Sequence, residues 1–189
     1  NLKDEDSLLE LVSDALIDGL VVGWYYCGME WGPRALGHRS ILGDPRRKDM
    51  KDILNLKIKK RESFRPFAPS VLEECVQDWF ELNCEGQKKV PYMMKVYKFK
   101  ADKRNLIPAV CHVDGSGRLQ TVNEKENKRY YRLIKKFYSK TDVPMILNTS
   151  FNENEPIVRT AEEALNCFLR TKMDMLVVND KVIIRNKNK

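Results

Sequence analysis

The sequence predicts an α/β domain with a mixed sheet. Three observations lead to this prediction: helical and strand-like segments alternate along the chain, turn residues separate neighbouring strand-like runs, and no segment repeats another. The 189 residues are 42% hydrophobic, which is ordinary for a globular domain with a core of its own. We therefore expect a single domain in which helices flank the sheet.

The N-terminal segment predicts a helix followed by a buried strand. Apolar residues recur with helical spacing over residues 7–18, where Ser7 is the expected N-cap and Gly19 the expected C-terminal stop. Residues 20–27 are β-branched and aromatic, as in a buried strand. A loop rich in Gly and Arg follows directly, and α/β proteins commonly bind anions at such a strand end.

The central part of the chain predicts a helix, a break and several short elements. Apolar residues recur with helical spacing from Met50 to Ile58, which predicts a helix over residues 47–59 that ends before Pro66. The next predicted elements are a strand over 67–72, a short helix over 73–82, a polar loop over 83–89, an edge strand over 92–99 and a hairpin of 109–113 with 118–122.

The C-terminal part alternates helices and strands. Asn127 begins a predicted helix over residues 127–140, which carries apolar residues on one side and a basic outer face on the other. Thr160 and Glu163 form a capping box, which predicts a helix up to about residue 171. The remaining predicted strands cover residues 143–147, 175–178 and 182–184.

Positive charge is concentrated in one stretch of the chain. Residues 28–65 contain 11 Lys and Arg against 5 Asp and Glu, a net charge of +6, whereas the whole chain carries +7. Gly and Pro interrupt this stretch, so its backbone can approach a ligand closely while guanidinium groups point at it. A concentrated positive site implies an anionic partner.

The basic residues of this stretch have two possible roles. A charge run is most simply a solvated face, and we apply that interpretation to Arg46, Arg47, Lys48, Lys60 and Lys135. Arg34, Lys59 and Arg65 lie instead among Gly, Pro and Phe residues. Because an unpaired buried charge is costly, we favour the interpretation that these three side chains converge on an oxyanion.

A second candidate segment is residues 148–152, Asn-Thr-Ser-Phe-Asn, which follows a predicted strand. Its amide, hydroxyl and backbone N–H groups suit phosphate or carbonyl oxygens. The alternative is an Asx or Ser turn that only connects two elements. His112 is expected to be a structural histidine rather than a metal ligand.

The composition excludes several other classes of site. Five cysteines are scattered without a Cys-x-x-Cys pair, which suits a reducing, cytoplasmic compartment, and most of them are expected in the core. No run has the length of a membrane-spanning helix, and no P-loop, Ser/His/Asp order or zinc-ligand spacing is present. The chain begins at Asn1, without Met, and is expected to be part of a longer protein.

Four segments together resemble the C-terminal region of the O-carbamoyltransferases, which include the nodulation, cephamycin and tobramycin carbamoyltransferases. They occur in the family's order and are residues 28–42 (GMEWGPRALGHRSIL), 61–69 (RESFRPFAP), 118–122 (RLQTV) and 147–152 (LNTSFN). The likeness extends from about residue 19 to residue 180 and is much more specific than a single short motif.

The resemblance implies a division of labour between two domains. It implies that residues 1–189 are a YrdC-like α/β domain with a twisted mixed sheet, which forms carbamoyl-adenylate from carbamoyl phosphate and ATP. A Kae1-like N-terminal domain, absent from this chain, would hold a metal ion and transfer the carbamoyl group to an acceptor hydroxyl. The implied partners are therefore carbamoyl phosphate, ATP with its Mg²⁺ and that N-terminal domain, with no nucleic acid and no membrane.

The same resemblance, carried over motif by motif, implies the site residues. Lys59, Arg65 and Arg118 are the expected catalytic residues, which would neutralise phosphate oxygens as charge moves toward the leaving group. No side chain is expected to bind a metal ion, since Mg²⁺ would arrive with the nucleotide. The expected substrate- and ATP-binding residues are Arg34, Arg61, Asn148, Thr149, Ser150 and Asn152.

Two alternative functions remain at this point. A basic chain with a pI near 9.1 could be an RNA-binding module, whose affinity would fall steeply with salt. A threonylcarbamoyl-adenylate synthase for tRNA modification would differ from the first hypothesis only in its substrate. The segment from Glu30 to Arg34 favours the O-carbamoyltransferase family over that synthase.

Overall fold

The structure, a computed structural model, describes residues 4–83 and 88–186. Within these residues it contains eight strands: β1 (Val22–Tyr25), β2 (Arg39–Gly43), β3 (Ala68–Leu72), β4 (Lys95–Lys98), β5 (Ser116–Val122), β6 (Met145–Ser150), β7 (Met175–Val178) and β8 (Lys181–Ile184). They form one sheet in the order β4-β5-β3-β6-β2-β1-β7-β8. The pairs β1–β7 and β3–β5 are parallel and the other neighbours are antiparallel, so the predicted mixed sheet is confirmed.

The helices of the described residues are α1 (Glu5–Ile17), α2 (Met50–Asp52), α3 (Val76–Trp79), α4 (Lys128–Thr141) and α5 (Ala161–Arg170). Two predicted N-caps are confirmed, because Asn127 accepts a hydrogen bond from the Tyr130 N–H and Thr160 accepts one from the Glu163 N–H. The expected cap of α1 is wrong. Asp4, not Ser7, is the N-cap, and its carboxylate accepts the N–H of Ser7.

The predicted helix over residues 47–59 is only partly α-helical. After α2 the chain widens into a π-helical segment, Ile53–Ile58, which we call the π segment. The wider turn is visible in the backbone, since the N–H of Lys59 bonds the carbonyl of Leu54, five residues earlier. The apolar spacing indicated a helix, but it does not distinguish α from π geometry over two turns.

Three strand predictions need correction. Residues 109–113 form turns rather than one arm of a hairpin, and β5 pairs instead with β4 and β3. β2 lies inside the stretch that we expected to be a continuous loop, and β6 extends to Ser150 rather than ending at residue 147. β2 and β6 pair with each other, because both are fully or mostly buried at the centre of the sheet, where backbone groups need partners. The predicted loop over residues 83–89 lies partly outside the described residues.

The basic outer face predicted for helix α4 is present, but its charges are paired. Its Arg and Lys side chains form ion pairs with acidic residues of α1, including Arg132 with Glu5, Lys136 with Glu10 and Lys140 with Asp14. These pairs are partly exposed and each contributes little to stability, about 0–1 kcal/mol. They do remove most of α4 from the set of candidate anion-binding surfaces.

The loop between β1 and β2 is packed closely onto the core. Gly37 has φ = 111°, and a Cβ at this position would lie 2.3 Å from the buried ring of Tyr130. The indole N–H of Trp24 donates to the Gly37 carbonyl at 2.9 Å. The loop that carries Arg34 is therefore fixed at its C-terminal end by core side chains.

Candidate anion-binding site

Four arginines converge on one open cleft of about 240 Å³ at the face of the sheet. Arg34 comes from the β1–β2 loop, Arg61 and Arg65 from the loop between the π segment and β3, and Arg118 from β5. The side chains that line this cleft, which we call the arginine cleft, belong to Pro33, Arg34, Ala35, Arg61, Arg65, Pro66, Phe67, Ala68, Met93, Arg118, Asn148, Thr149 and Ser150.

The structure thus brings seven of the nine expected site residues to the arginine cleft. The other two, Lys59 and Asn152, do not line it. They lie behind it, where the ammonium group of Lys59 donates to the carbonyl oxygens of Ser150 (2.5 Å) and Asn152 (2.7 Å) and to Asn152 Oδ1 (2.7 Å). In this geometry Lys59 supports the end of β6, while the phosphate-contacting role expected for it stays a prediction.

Lys59 is 2% exposed, which is exceptional for a lysine. Burial, together with the nearby positive charge of Arg61, lowers the pKa of Lys59 to about 7. The charge of this side chain therefore changes close to neutral pH, and with it the strength of the three hydrogen bonds that hold residues 150–152.

The electrostatics of the cleft are strongly one-sided. Burial and the positive charge of Arg34 lower the pKa of Arg118, and burial and the charge of Arg65 lower the pKa of Arg61. None of the side chains that line the cleft is Asp or Glu. The nearest counter-charge is Glu62, which is exposed and pairs with Arg65 at 3.0 Å. Four cations with so little compensation give the cleft a positive potential that favours an anionic ligand.

Asn148 occupies the floor of the cleft and is 1% exposed. Its amide nitrogen is bonded to the Ala35 carbonyl (3.0 Å), to Ser70 Oγ (3.1 Å) and to Gln120 Oε1 (2.9 Å), which fixes the orientation of the side chain. Its carbonyl oxygen, Oδ1, is buried without a hydrogen-bond partner among the described residues. A buried acceptor of this kind is costly unless a ligand supplies a donor.

Glu30 supports the β1–β2 loop, a role that the sequence did not indicate by itself. Its half-buried carboxylate accepts the backbone N–H groups of Leu36 (2.7 Å), His38 (2.9 Å) and Arg39 (3.2 Å). Burial is the largest influence on this group and raises the pKa of Glu30. Glu30 therefore closes the β1–β2 loop on itself and sets the position of Arg34. Its place at the start of the Glu-Trp-Gly-Pro-Arg motif is the only signal in the sequence.

A second cavity, of about 180 Å³, shares a wall with the arginine cleft. Ala35 and Met93 line the cleft, while the adjacent Leu36 and Tyr92 line the second cavity. On β5, Arg118 belongs to the cleft and Gln120, two residues later on the same face of the strand, belongs to the cavity. We call it the neighbouring cavity; Glu30, His38, Pro91, Thr121, Val122, Asn123, Glu126 and Asn127 complete its lining.

Comparison with known proteins decides the family. The family model described as "Carbamoyltransferase C-terminus" matches residues 13–185. The chain belongs to the carbamoyltransferase C-terminus family. The resemblance stated from the motifs is thereby confirmed.

Relatives in this family carry informative names. Nodulation protein NolO of Bradyrhizobium diazoefficiens is 46% identical over 94% of the chain and 32% of its own length. The 3′-hydroxymethylcephem-O-carbamoyltransferase of Amycolatopsis lactamdurans is 38% identical over 88% of the chain and 31% of its own length. The chain thus spans only about a third of the length of these relatives.

Solved structures with the same fold as this chain are also known. Sua5 of P. abyssi, complexed with L-threonine, superposes with a TM-score of 0.68 at 11% identity, covering 93% of the chain and 47% of Sua5. Full-length HypF in a phosphate- and nucleotide-bound form superposes with a TM-score of 0.64 at 20% identity, covering 94% and 25%. The predicted YrdC-like fold is confirmed. In residues 4–83 and 88–186 no helix is long and apolar enough to cross a membrane.

Proposed function

We propose that this domain binds carbamoyl phosphate and ATP in the arginine cleft and forms carbamoyl-adenylate for an O-carbamoyltransferase. The observation that carries the proposal is the convergence of Arg34, Arg61, Arg65 and Arg118 on a cleft whose lining contains no acidic side chain. A phosphate oxygen accepts hydrogen bonds from guanidinium groups in a bidentate geometry, and each such contact contributes about 1.5–3 kcal/mol. Three or four contacts can hold a polyphosphate.

The chemistry proposed for the cleft needs no side-chain nucleophile. Carbamoyl phosphate loses its phosphate group to water and leaves carbamate, whose oxygen attacks the α-phosphorus of ATP. The bond between the α- and β-phosphates then breaks and pyrophosphate leaves. In phosphoryl chemistry of this kind the protein mainly positions the reactants and offsets the charge that develops on the oxygens. The arginines of the cleft would supply both effects.

The buried oxygen of Asn148 supports a carbamoyl group as part of the ligand. Oδ1 of Asn148 is an acceptor without a partner among the described residues, so it favours a ligand that carries a hydrogen-bond donor in addition to its phosphate oxygens. The amide end of carbamoyl phosphate carries two N–H bonds. A site that places arginines beside an unsatisfied amide oxygen therefore suits carbamoyl phosphate better than phosphate alone.

The neighbouring cavity supports a nucleoside as the second reactant. It begins at Leu36 and Gln120, next to the residues that line the arginine cleft, and its wall includes the ring of Tyr92. Aromatic and aliphatic side chains with a few amides are typical of a pocket for a flat base. We infer that the α-phosphate lies between Arg34 and Arg118 and that the base enters the neighbouring cavity.

The names of the relatives and structures support the same proposal. One relative is named as an O-carbamoyltransferase, and the HypF structure is described as phosphate- and nucleotide-bound. Because the chain spans about a third of such relatives, we assign the transfer to an acceptor hydroxyl to a Kae1-like domain outside this chain. Trp31 and Phe64, on the two loops that carry arginines of the cleft, are 98% and 78% exposed and would face that domain.

The residues that the structure describes do not form a magnesium site. The described residues contain no group of three or more His, Cys, Asp or Glu side chains that could hold a metal ion. We therefore assign no magnesium ligand to this chain, and Mg²⁺ would be held by the phosphate groups of ATP.

Isothermal titration calorimetry with carbamoyl phosphate and with a non-hydrolysable ATP analogue tests the proposal. We expect both ligands to bind the wild-type chain, and we expect Arg65→Ala and Arg118→Ala to lose at least about tenfold in affinity. Arg159→Ala is a matched control, because this arginine is 72% exposed and pairs only with Glu163 at the surface. Equal affinity in wild type and both cleft variants would contradict the proposal.

The same variants separate the proposal from RNA binding. Affinity for RNA would fall steeply with salt and would be insensitive to Ser150→Ala, because a neutral hydroxyl contributes little to phosphate neutralisation. Binding of the ATP analogue is expected to weaken in Ser150→Ala. An unchanged ATP affinity together with salt-sensitive RNA binding would favour the nucleic-acid module.

A further inference from the structure

Asn55 lies at the centre of the π segment and is fully buried, yet it belongs to none of the motifs of the site. Its side chain makes three hydrogen bonds to the loop that carries two arginines of the cleft. The amide nitrogen donates to the carbonyl oxygens of Ser63 (3.1 Å) and Arg65 (3.0 Å), and Oδ1 accepts from Nε of Arg61 (2.7 Å). Its backbone carbonyl also accepts the N–H of Arg61 at 3.0 Å.

Asn55 and Lys59 lie four residues apart, on the same side of the π segment and at its C-terminal end, and both are buried. Lys59 caps the C-terminal end of the π segment and holds the other wall of the cleft through Ser150 and Asn152. Lys60, which follows, has φ = 45° and turns the chain sharply toward Arg61. One widened turn therefore holds the arginine loop on one side and the end of β6 on the other. Such single π turns are frequent at functional sites.

The arginine loop needs such a restraint. Arg61 and Arg65 lie close enough that the positive charge of Arg65 contributes to lowering the pKa of Arg61. Their mutual repulsion tends to open the loop, and Glu62, which forms an ion pair with Arg65 and also attracts Arg61, is exposed, so it offsets this repulsion only weakly. Asn55 opposes this opening with buried hydrogen bonds to the backbone on both sides of Phe64 and to the side chain of Arg61.

We propose that Asn55 is a positioning residue for anion binding: it holds Arg61 and Arg65 in their binding geometry before the ligand arrives. The proposal rests on the proposed function of the arginine cleft. It assigns to Asn55 no contact with the ligand. It also explains why a polar residue with low helix propensity occupies a buried helical position, since all of its bonds go to the functional loop.

Phosphate binding by Asn55→Ala tests the proposal, with inorganic phosphate as the calorimetric probe. We expect the affinity to fall about tenfold or more, the loss that follows when one charge-assisted hydrogen bond to the anion is no longer held in place. Leu56→Ala is the matched control in the same segment, because Leu56 is 59% exposed. Thr171→Val removes a buried hydrogen bond to the Cys167 carbonyl in helix α5 and controls for general destabilisation, because neither of these residues takes part in the side-chain hydrogen bonds of Asn55 to the arginine loop. Both controls are expected to stay within about twofold of wild type.

The outcomes separate this proposal from the proposed function. If wild type binds no phosphate, the anion site itself is contradicted. If wild type binds and Asn55→Ala binds equally well, only the role of Asn55 is contradicted. If Thr171→Val loses affinity as Asn55→Ala does, the effect is one of stability and the positioning role is again rejected.

Hydrogen exchange of the wild type gives a test that does not depend on the folding of Asn55→Ala. A loop held by Asn55 predicts slow exchange of the Arg61 N–H, which bonds the Asn55 carbonyl, in the free protein. Exchange at the rate of an unstructured peptide would show that the loop is not held before the ligand binds, and it would overturn the proposal.

Discussion

Replacement of Lys59 by Met gives the sharpest test of the support behind the cleft. The variant removes the ammonium group, keeps most of the side-chain volume and removes one donor from each of the Ser150 and Asn152 oxygens that Lys59 contacts. Burial lowers the pKa of Lys59 from 10.5 to about 7. At about 1.4 kcal/mol for each pKa unit, this corresponds to about 5 kcal/mol between the charged and neutral forms.

The sign of the pH dependence follows from the direction of the shift. Because the pKa is lower in the folded state, the unfolded state binds more protons between about pH 7 and pH 10. The contribution of Lys59 to stability is therefore largest above its unfolded pKa and is lost as the pH falls toward 7. The difference in unfolding free energy, wild type minus Lys59→Met, should rise by about 1–3 kcal/mol between pH 7 and pH 9.

Urea unfolding of both chains at pH 6, 7, 8 and 9 measures this difference. Lys172→Met, a replacement at an exposed lysine, serves as the control and should track wild type in parallel at every pH. If the unfolding free energies of wild type and Lys59→Met change in parallel with pH across this range, the lowered pKa of Lys59 is wrong, since the buried ammonium group would then titrate as it does in the unfolded chain.

Three further predictions concern the β1–β2 loop. Glu30→Gln removes the charge from three backbone hydrogen bonds, so the free energy of thermal unfolding should fall by about 1–3 kcal/mol and phosphate binding through Arg34 should weaken. Unchanged stability together with unchanged phosphate affinity would contradict the role of Glu30. Gly37→Ala places a Cβ 2.3 Å from the Tyr130 ring in a residue with φ = 111°, so the free energy of urea unfolding should fall by about 2–4 kcal/mol. An unchanged free energy of unfolding would contradict this packing. Arg39→Lys removes a buried guanidinium group that donates to the Tyr26 and Cys27 carbonyls, so the free energy of unfolding should fall by about 1–3 kcal/mol while phosphate affinity stays unchanged. Unchanged stability with weaker phosphate binding would place Arg39 in the site.

The sequence predicted which residues meet in the arginine cleft better than it predicted the strands and loops that carry those residues. Arg34, Arg65 and Arg118 stand in specific motifs, and Gly and Pro around Arg34 and Arg65 indicated loops that face a ligand. The position of Asn148 was expected after a strand, whereas it lies within β6 and pairs opposite Leu42 of β2. Strand ends are hard to locate because polar residues such as Asn and Thr can face a site from within a buried strand.

The supporting residues were not predictable from one sequence. Glu30 accepts hydrogen bonds from backbone N–H groups, and Asn55 donates to backbone carbonyls, six to ten residues away along the chain. The sequence does not show where that backbone lies. The π segment has the same apolar spacing as an α-helix. The expectation that most cysteines lie in the core is only partly met, since Cys75 and Cys167 are buried but Cys27 is exposed.

A crystal structure with carbamoyl phosphate and a non-hydrolysable ATP analogue bound would show whether the arginine cleft is the binding site. We expect phosphate oxygens within hydrogen-bond distance of Arg34, Arg65 and Arg118, with the carbamoyl amide at Asn148 Oδ1 and the base in the neighbouring cavity. Phosphates bound elsewhere on the surface, with these three arginines turned to solvent, would contradict it.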